Sequence, residues 1–116
     1  MVMMTLELPE ELAERVRPMQ PWLPTILELG LVGFETGAVA TASEVVRFLS
    51  RNPTTSEVLD YHVSKFAQAR LQRLLALNVA GAASDAEQRE LDELEQVEHI
   101  VLLLKARIAH GVGRAA

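Results

Sequence analysis

Glu95 and His99 have the spacing of helix-borne metal ligands, four residues apart and on one face of a helix, with Glu98 beside them. A coordination set needs more donors than that. His62 and His110 stand alone in the sequence, and the chain has no cysteine, so thiolate ligation and disulfides are excluded. We therefore expect no metal site, and read this trio as a solvated helix face. Ser43, Ser64 and Ser84 are the hydroxyls a nucleophile would be drawn from. None has a base and an orienting partner at recognisable spacing, and each suits a helix cap better. There is no glycine-rich phosphate loop. Arg70 and Arg73 form a small basic patch. In an antiparallel hairpin they fall near Glu90, Asp92, Glu93 and Glu95, where surface pairing explains them. The expectation is a protein that binds other macromolecules, with no catalytic residues and no cofactor.

The elements that would carry such binding follow from composition and pattern. The 116 residues suffice for one ordinary domain or two very small ones. Hydrophobic residues make up 49% and aromatics only 4%, a Leu/Ala-rich balance that favours helices. A formal net charge of −5 gives no general electrostatic footprint for nucleic acid. Met1–Leu8 has neither the basic nor the apolar region of a signal peptide. The longest apolar run, Ile100–Leu104, is far too short to span a membrane. A cytoplasmic protein is expected.

Residues 3–8 alternate, with Met4, Leu6 and Leu8 on one side and Met3, Thr5 and Glu7 on the other, the period of a half-buried strand. No second strand follows, so pairing with the same segment of another copy is expected. Pro9 opens a helix to Arg17, with Leu12 and Val16 on its buried stripe and Glu10, Glu11 and Glu14 near its start. Pro18 and Pro21 end it. A second helix, Trp22–Thr36, is apolar almost all round and calls for more than one neighbour. Gly37–Ala40 reads as a linker. Thr41 and Glu44 have capping-box spacing ahead of Val45, Phe48 and Leu49. Asn52-Pro53 breaks that helix, and a short turn follows over Thr55–Tyr61. Ser64 caps a helix bearing Ala67, Leu71, Leu74 and Leu75. Ala80–Ala83 turns, and Ser84 with Glu87 forms a capping box for a long helix carrying Leu91, Leu94, Val97, Val101, Leu104 and Ile108. Gly111 is the expected stop. Ser64–His110 is thus predicted as an αα-hairpin.

The run Thr5-Leu6-Glu7-Leu8-Pro9-Glu10-Glu11-Leu12-Ala13-Glu14-Arg15-Val16 resembles the opening of ribbon-helix-helix proteins of the antitoxin kind. The resemblance implies a mainly α fold. A short N-terminal strand and two helices (1–37) form a dimeric module, followed by short helices (38–63) and the helical hairpin (64–111). The remainder is similar to a group of antitoxin-like bacterial proteins, through Phe48-Leu49-Ser50-Arg51-Asn52-Pro53-Thr54, the stretch from Ala69-Arg70-Leu71 to Asn78, and Glu90 through Glu98-His99 to Ala106. The chain departs from the ribbon-helix-helix pattern in its Pro18-Met19-Gln20-Pro21 connection and in its non-basic outward strand residues.

The resemblance implies a homodimer with Met4, Leu6, Leu8, Leu12, Trp22, Ile26, Leu27 and Leu31 at the interface. Phe48, Leu49, Tyr61 and Phe66 are the expected apolar anchors for a partner protein. An antitoxin-like protein that binds and restrains such a partner, a nuclease toxin being the kind implied, is the leading expectation. A regulator that reads operator DNA through Met3, Thr5 and Glu7 is the alternative. We expect the ribbon to serve dimerisation, because carboxylates approaching phosphates are repelled. A structural helical adaptor is the third reading.

Overall fold

Pro9, with φ −54° and ψ 143°, sits just ahead of the first helix, α1 (Glu10–Val16), and Glu10 and Glu11 occupy its first turn. Pro18 and Pro21 lack N–H groups, and the chain tightens through Arg17–Trp22 into a 3-10 helix. This runs directly into α2 (Leu23–Val32). The remaining elements are α3 (Ala38–Ser50), α4 (Thr55–Leu59), α5 (Lys65–Val79) and α6 (Asp85–Ala115). The computed structural model describes residues 2–115, with side chains described up to Gly111.

No strand occurs among the described residues, which corrects the ribbon-helix-helix expectation. Residues 2–9 carry no regular secondary structure. The alternation of Met4, Leu6 and Leu8 is the right side-chain pattern for a strand. A strand exists, however, only through its ladder, and the described chain offers no second one to pair with. Met3, Thr5 and Glu7 are therefore not displayed on a ribbon, and Met4, Leu6 and Leu8 do not form the buried side of one. The architecture is all-helical.

The junction between the second and third helices also differs from the sequence pattern. The second helix ends at Gly33, whose φ of 70° places it in the left-handed region that glycine adopts without penalty, and so stops short of Thr36. The third starts at Ala38, inside the expected linker and ahead of Thr41. The reason is a long-range cap. Glu93 on α6 accepts hydrogen bonds from the Glu35 N–H (3.1 Å), the Thr36 N–H (3.0 Å) and the Thr36 hydroxyl (2.7 Å). Thr36 Oγ1 in turn accepts from the Ala38 N–H at 3.2 Å. Thr41 is buried within α3 rather than capping it.

Burial pushes the Glu93 carboxyl up, but the donors from Thr36 and Glu35 outweigh it and hold the group below the usual carboxylate range. The folded state thus favours the charged form. Its stabilisation is complete above the ordinary Glu range of about 4.3 and fades as pH falls through and below it. Glu93→Ala is expected to lower unfolding free energy by about 2 kcal/mol at pH 7, read by urea denaturation. The gap between wild type and Glu93→Gln should close at pH 3.

The N-terminal caps of the later helices are local. Thr54 and Glu57 form a capping box at α4 that the sequence reading did not assign. Ser64 accepts from the Ala67 N–H at α5. Ser84 and Glu87 bond reciprocally at α6, which holds the Glu87 carboxyl below its usual range. Gly111 lies inside α6 and does not stop it. The α5–α6 hairpin forms as predicted, with Leu74, Leu91 and Leu94 buried between its arms and Ala38 of α3 packed onto them. A second cluster joins Trp22, Leu29, Val45, Leu49 and Val58 to Val97, Ile100 and Leu104 of α6. The hairpin is therefore docked on α2, α3 and α4, and residues from all three sequence segments share this packing.

Candidate protein-binding site

The loop Tyr61–Ser64 is pinned from several directions. Phe48 stacks on Tyr61 with ring centroids 4.3 Å apart and 27° between planes. Lys105 donates to the Tyr61 carbonyl, and Gln68 Nε2 donates to the Val63 carbonyl at 2.8 Å. Glu44, which sequence spacing assigns to a capping box, instead accepts from the Ser64 N–H and hydroxyl, each at 3.2 Å. Burial, and then the negative charge of Glu44, push the Tyr61 hydroxyl above its ordinary pKa. The loop is consequently a wall of fixed shape.

Between this wall, α5 and α6 lies an open groove of about 520 Å³. Tyr61, Val63, Leu71, Val101 and Leu102 supply its apolar surface; His62, Gln68, Gln72, Glu98 and Lys105 supply its polar rim. Leu102 is 61% exposed although it sits in the middle of a packed helix. The two arms of the hairpin are also tied by a bidentate pair, Arg70 Nε to Glu90 Oε2 at 2.7 Å and Arg70 Nη2 to Glu90 Oε1 at 2.9 Å. The Arg70 guanidinium holds the Glu90 carboxyl below its usual range against the opposing effect of burial. Two of the rim's polar groups, Lys105 and Gln68, are spent on backbone carbonyls. The groove is thus equipped to receive an amphipathic segment, its apolar side on Leu71, Val101 and Leu102.

A second groove, of about 450 Å³, runs between α2 and α3. Leu29, Phe34, Val39, Ala42 and Val46 line it, and Arg47 is its one charged residue.

The expected site residues are distributed unevenly over these features. Of the partner anchors, Tyr61 lines the first groove and Phe48 supports it from behind. Leu49 is fully buried in the core. Phe66 is exposed, but two residues from Gln68 it faces nearly the opposite side of α5. Of the dimer set, Met4, Leu6, Leu8, Leu12, Leu27 and Leu31 are exposed, whereas Trp22 is buried and Ile26 half-buried in their own chain's core. Met3, Thr5 and Glu7 are exposed on the irregular arm. Glu95, Glu98 and His99 are exposed on α6, and no group of three or more potential metal ligands comes together among the described residues. Sequence reasoning missed Leu71, Val101 and Leu102 as groove residues. The signal was present: in the run Ile100–Leu104 helical periodicity sends Ile100 and Leu104 inward, leaving Leu102 and Leu103 as apolar residues in excess of the stripe.

Among the described residues, no helix is long and apolar enough to cross a membrane. No protein-family model matches the chain, and no curated protein or solved structure is detectably similar to it.

Proposed function

We propose that this chain is an antitoxin-like interaction protein of the cytoplasm, which holds an amphipathic segment of a partner protein in the α5–α6 groove. One observation carries the reading: Leu102 is exposed over an apolar floor, beside a loop fixed by Lys105, Gln68 and Glu44. Preformed walls lower the ordering cost of binding, and a helix laid in a groove reads as apolar anchors with a polar rim. Two of the groove's polar groups, Lys105 and Gln68, serve its shape, which supports binding rather than turnover. A toxin-like enzyme restrained by occupation is the kind of partner favoured here, on the strength of the sequence resemblance.

Placing a photo-cross-linking residue at Leu102 in the native host tests this. One discrete adduct is expected at Leu102 and none at exposed Gln96. The adduct should match the product of the adjoining gene, and Leu102→Asp should weaken binding of that purified protein by about thirtyfold, the effect of losing a buried anchor. Equal labelling at Gln96, or unchanged affinity in a folded Leu102→Asp variant, overturns the reading.

A further inference from the structure

The N-terminal fifteen described residues contribute nothing to the core. Val2, Met3, Met4, Leu6 and Leu8 are exposed, and α1 has no buried residue. Leu12 is also exposed, and on α2 Leu27 and Leu31 stand outward, Leu31 at 85%. These apolar side chains are left uncovered by their own chain, and exposed apolar surface of this kind marks an association site.

We infer that the arm of one protomer docks in the α2–α3 groove of a second copy of this chain, and that the exchange is mutual. Shape agrees. Seven extended residues span about 23 Å, and the 13 residues of α3, which forms one wall of the groove, span about 20 Å. In an extended arm Met4, Leu6 and Leu8 share one side and can lie along Val39, Ala42 and Val46. Charge agrees as well. The arm and α1 carry Glu7, Glu10, Glu11 and Glu14 against Arg15 alone. The groove's charge is Arg47, which has no ion-pair partner among the described residues, and Arg51 follows four residues later as the C-cap of α3. Area also favours a second copy. A two-fold exchange repeats the arm–groove contact, so each of the two contacts need bury only half of the roughly 1,200–2,000 Å² that a stable association buries. The site is separate from the α5–α6 groove and does not depend on what that groove binds.

The chain contains no cysteine, so introduced thiols report unambiguously. Mixing Leu6→Cys protein with Val39→Cys protein under mild oxidation should give a disulfide-linked species of twice the chain mass. Neither variant alone should give it in comparable yield. Light scattering should find the wild type dimeric. Leu6→Asp and Arg47→Glu, both exposed positions, should each raise the dissociation constant on the order of tenfold or more with helical circular dichroism unchanged. Added salt should weaken the wild-type dimer. A disulfide formed only within the Leu6→Cys, Val39→Cys double variant at monomer mass would place the arm in its own groove and overturn the inference. So would a wild type that stays monomeric at high concentration, or a dimer indifferent to both substitutions.

Discussion

Trp22→Ala is expected to lower the free energy of unfolding by about 4 kcal/mol, one of the largest single effects available in this chain. Trp22 is 6% exposed and packs in the cluster of Leu29, Val45, Leu49 and Val58 with Val97 of α6. Its indole N–H donates to the Pro53 carbonyl at 3.1 Å, across a sequence separation of 31 residues. The substitution therefore does two things. It opens a cavity where the 3-10 helix meets α3, and it strips a buried carbonyl in the α3–α4 turn of its donor, which alone costs about 1–3 kcal/mol. Trp22→Phe separates them, since it keeps most of the packing and loses only the donor; a cost of about 1–2 kcal/mol is expected. Urea denaturation followed by far-ultraviolet circular dichroism reads both. A loss below about 1 kcal/mol for Trp22→Ala, accompanied by dissociation of a dimer, would return Trp22 to the interface role its sequence context suggests.

That reassignment shows where sequence reading succeeds and fails here. Elements whose start signals are local were legible. Pro9 preceding α1, Ser64 capping α5 and the Ser84–Glu87 box opening α6 all lie where the pattern puts them, because each cap completes its bonds within a few residues. Features that depend on partners far along the chain were not. The start of α3 is set by Glu93, 57 residues after Thr36. Glu44 spends its carboxylate on Ser64 rather than on a helix cap. The supposed strand failed for a related reason, since an alternating pattern specifies which sides match and cannot supply the second strand. Within the expected second helix, Trp22–Thr36, Trp22 and Leu31 look alike as apolar residues, yet one is buried and the other is 85% exposed, a distinction made only by where α3 and α6 lie. The α5–α6 groove is of the same kind. Its wall is a loop held by Phe48 and Glu44 of α3, Gln68 of α5 and Lys105 of α6, three different elements.

Leu74→Ala should cost about 3 kcal/mol and also weaken partner binding, whereas Leu75→Ala should do little of either. Leu74 is fully buried against Ala38, Leu91 and Leu94, and Leu75, its neighbour on the same helix, is 36% exposed. The other buried residue of α5 is Ala67, so Leu74 supplies the larger share of the helix's fully buried apolar contact. The Arg70–Glu90 pair reinforces that docking but is partly exposed, and a pair of that kind contributes little by itself. Losing the leucine thus leaves α5 held mainly by Ala67, half-buried Leu71 and the ion pair. Because α5 forms one side of the groove through Gln68, Leu71 and Gln72, a loosened α5 means a groove that must be ordered by its occupant. Stability and affinity should therefore fall together in Leu74→Ala. Leu102→Asp, on the exposed face of α6, should reduce affinity while leaving the unfolding midpoint nearly unchanged. Measuring both variants by urea denaturation and by titration with the partner distinguishes a groove wall from a contact. If Leu74→Ala unfolds at lower urea yet binds as tightly as wild type, the rigid position of α5 is not what the partner reads.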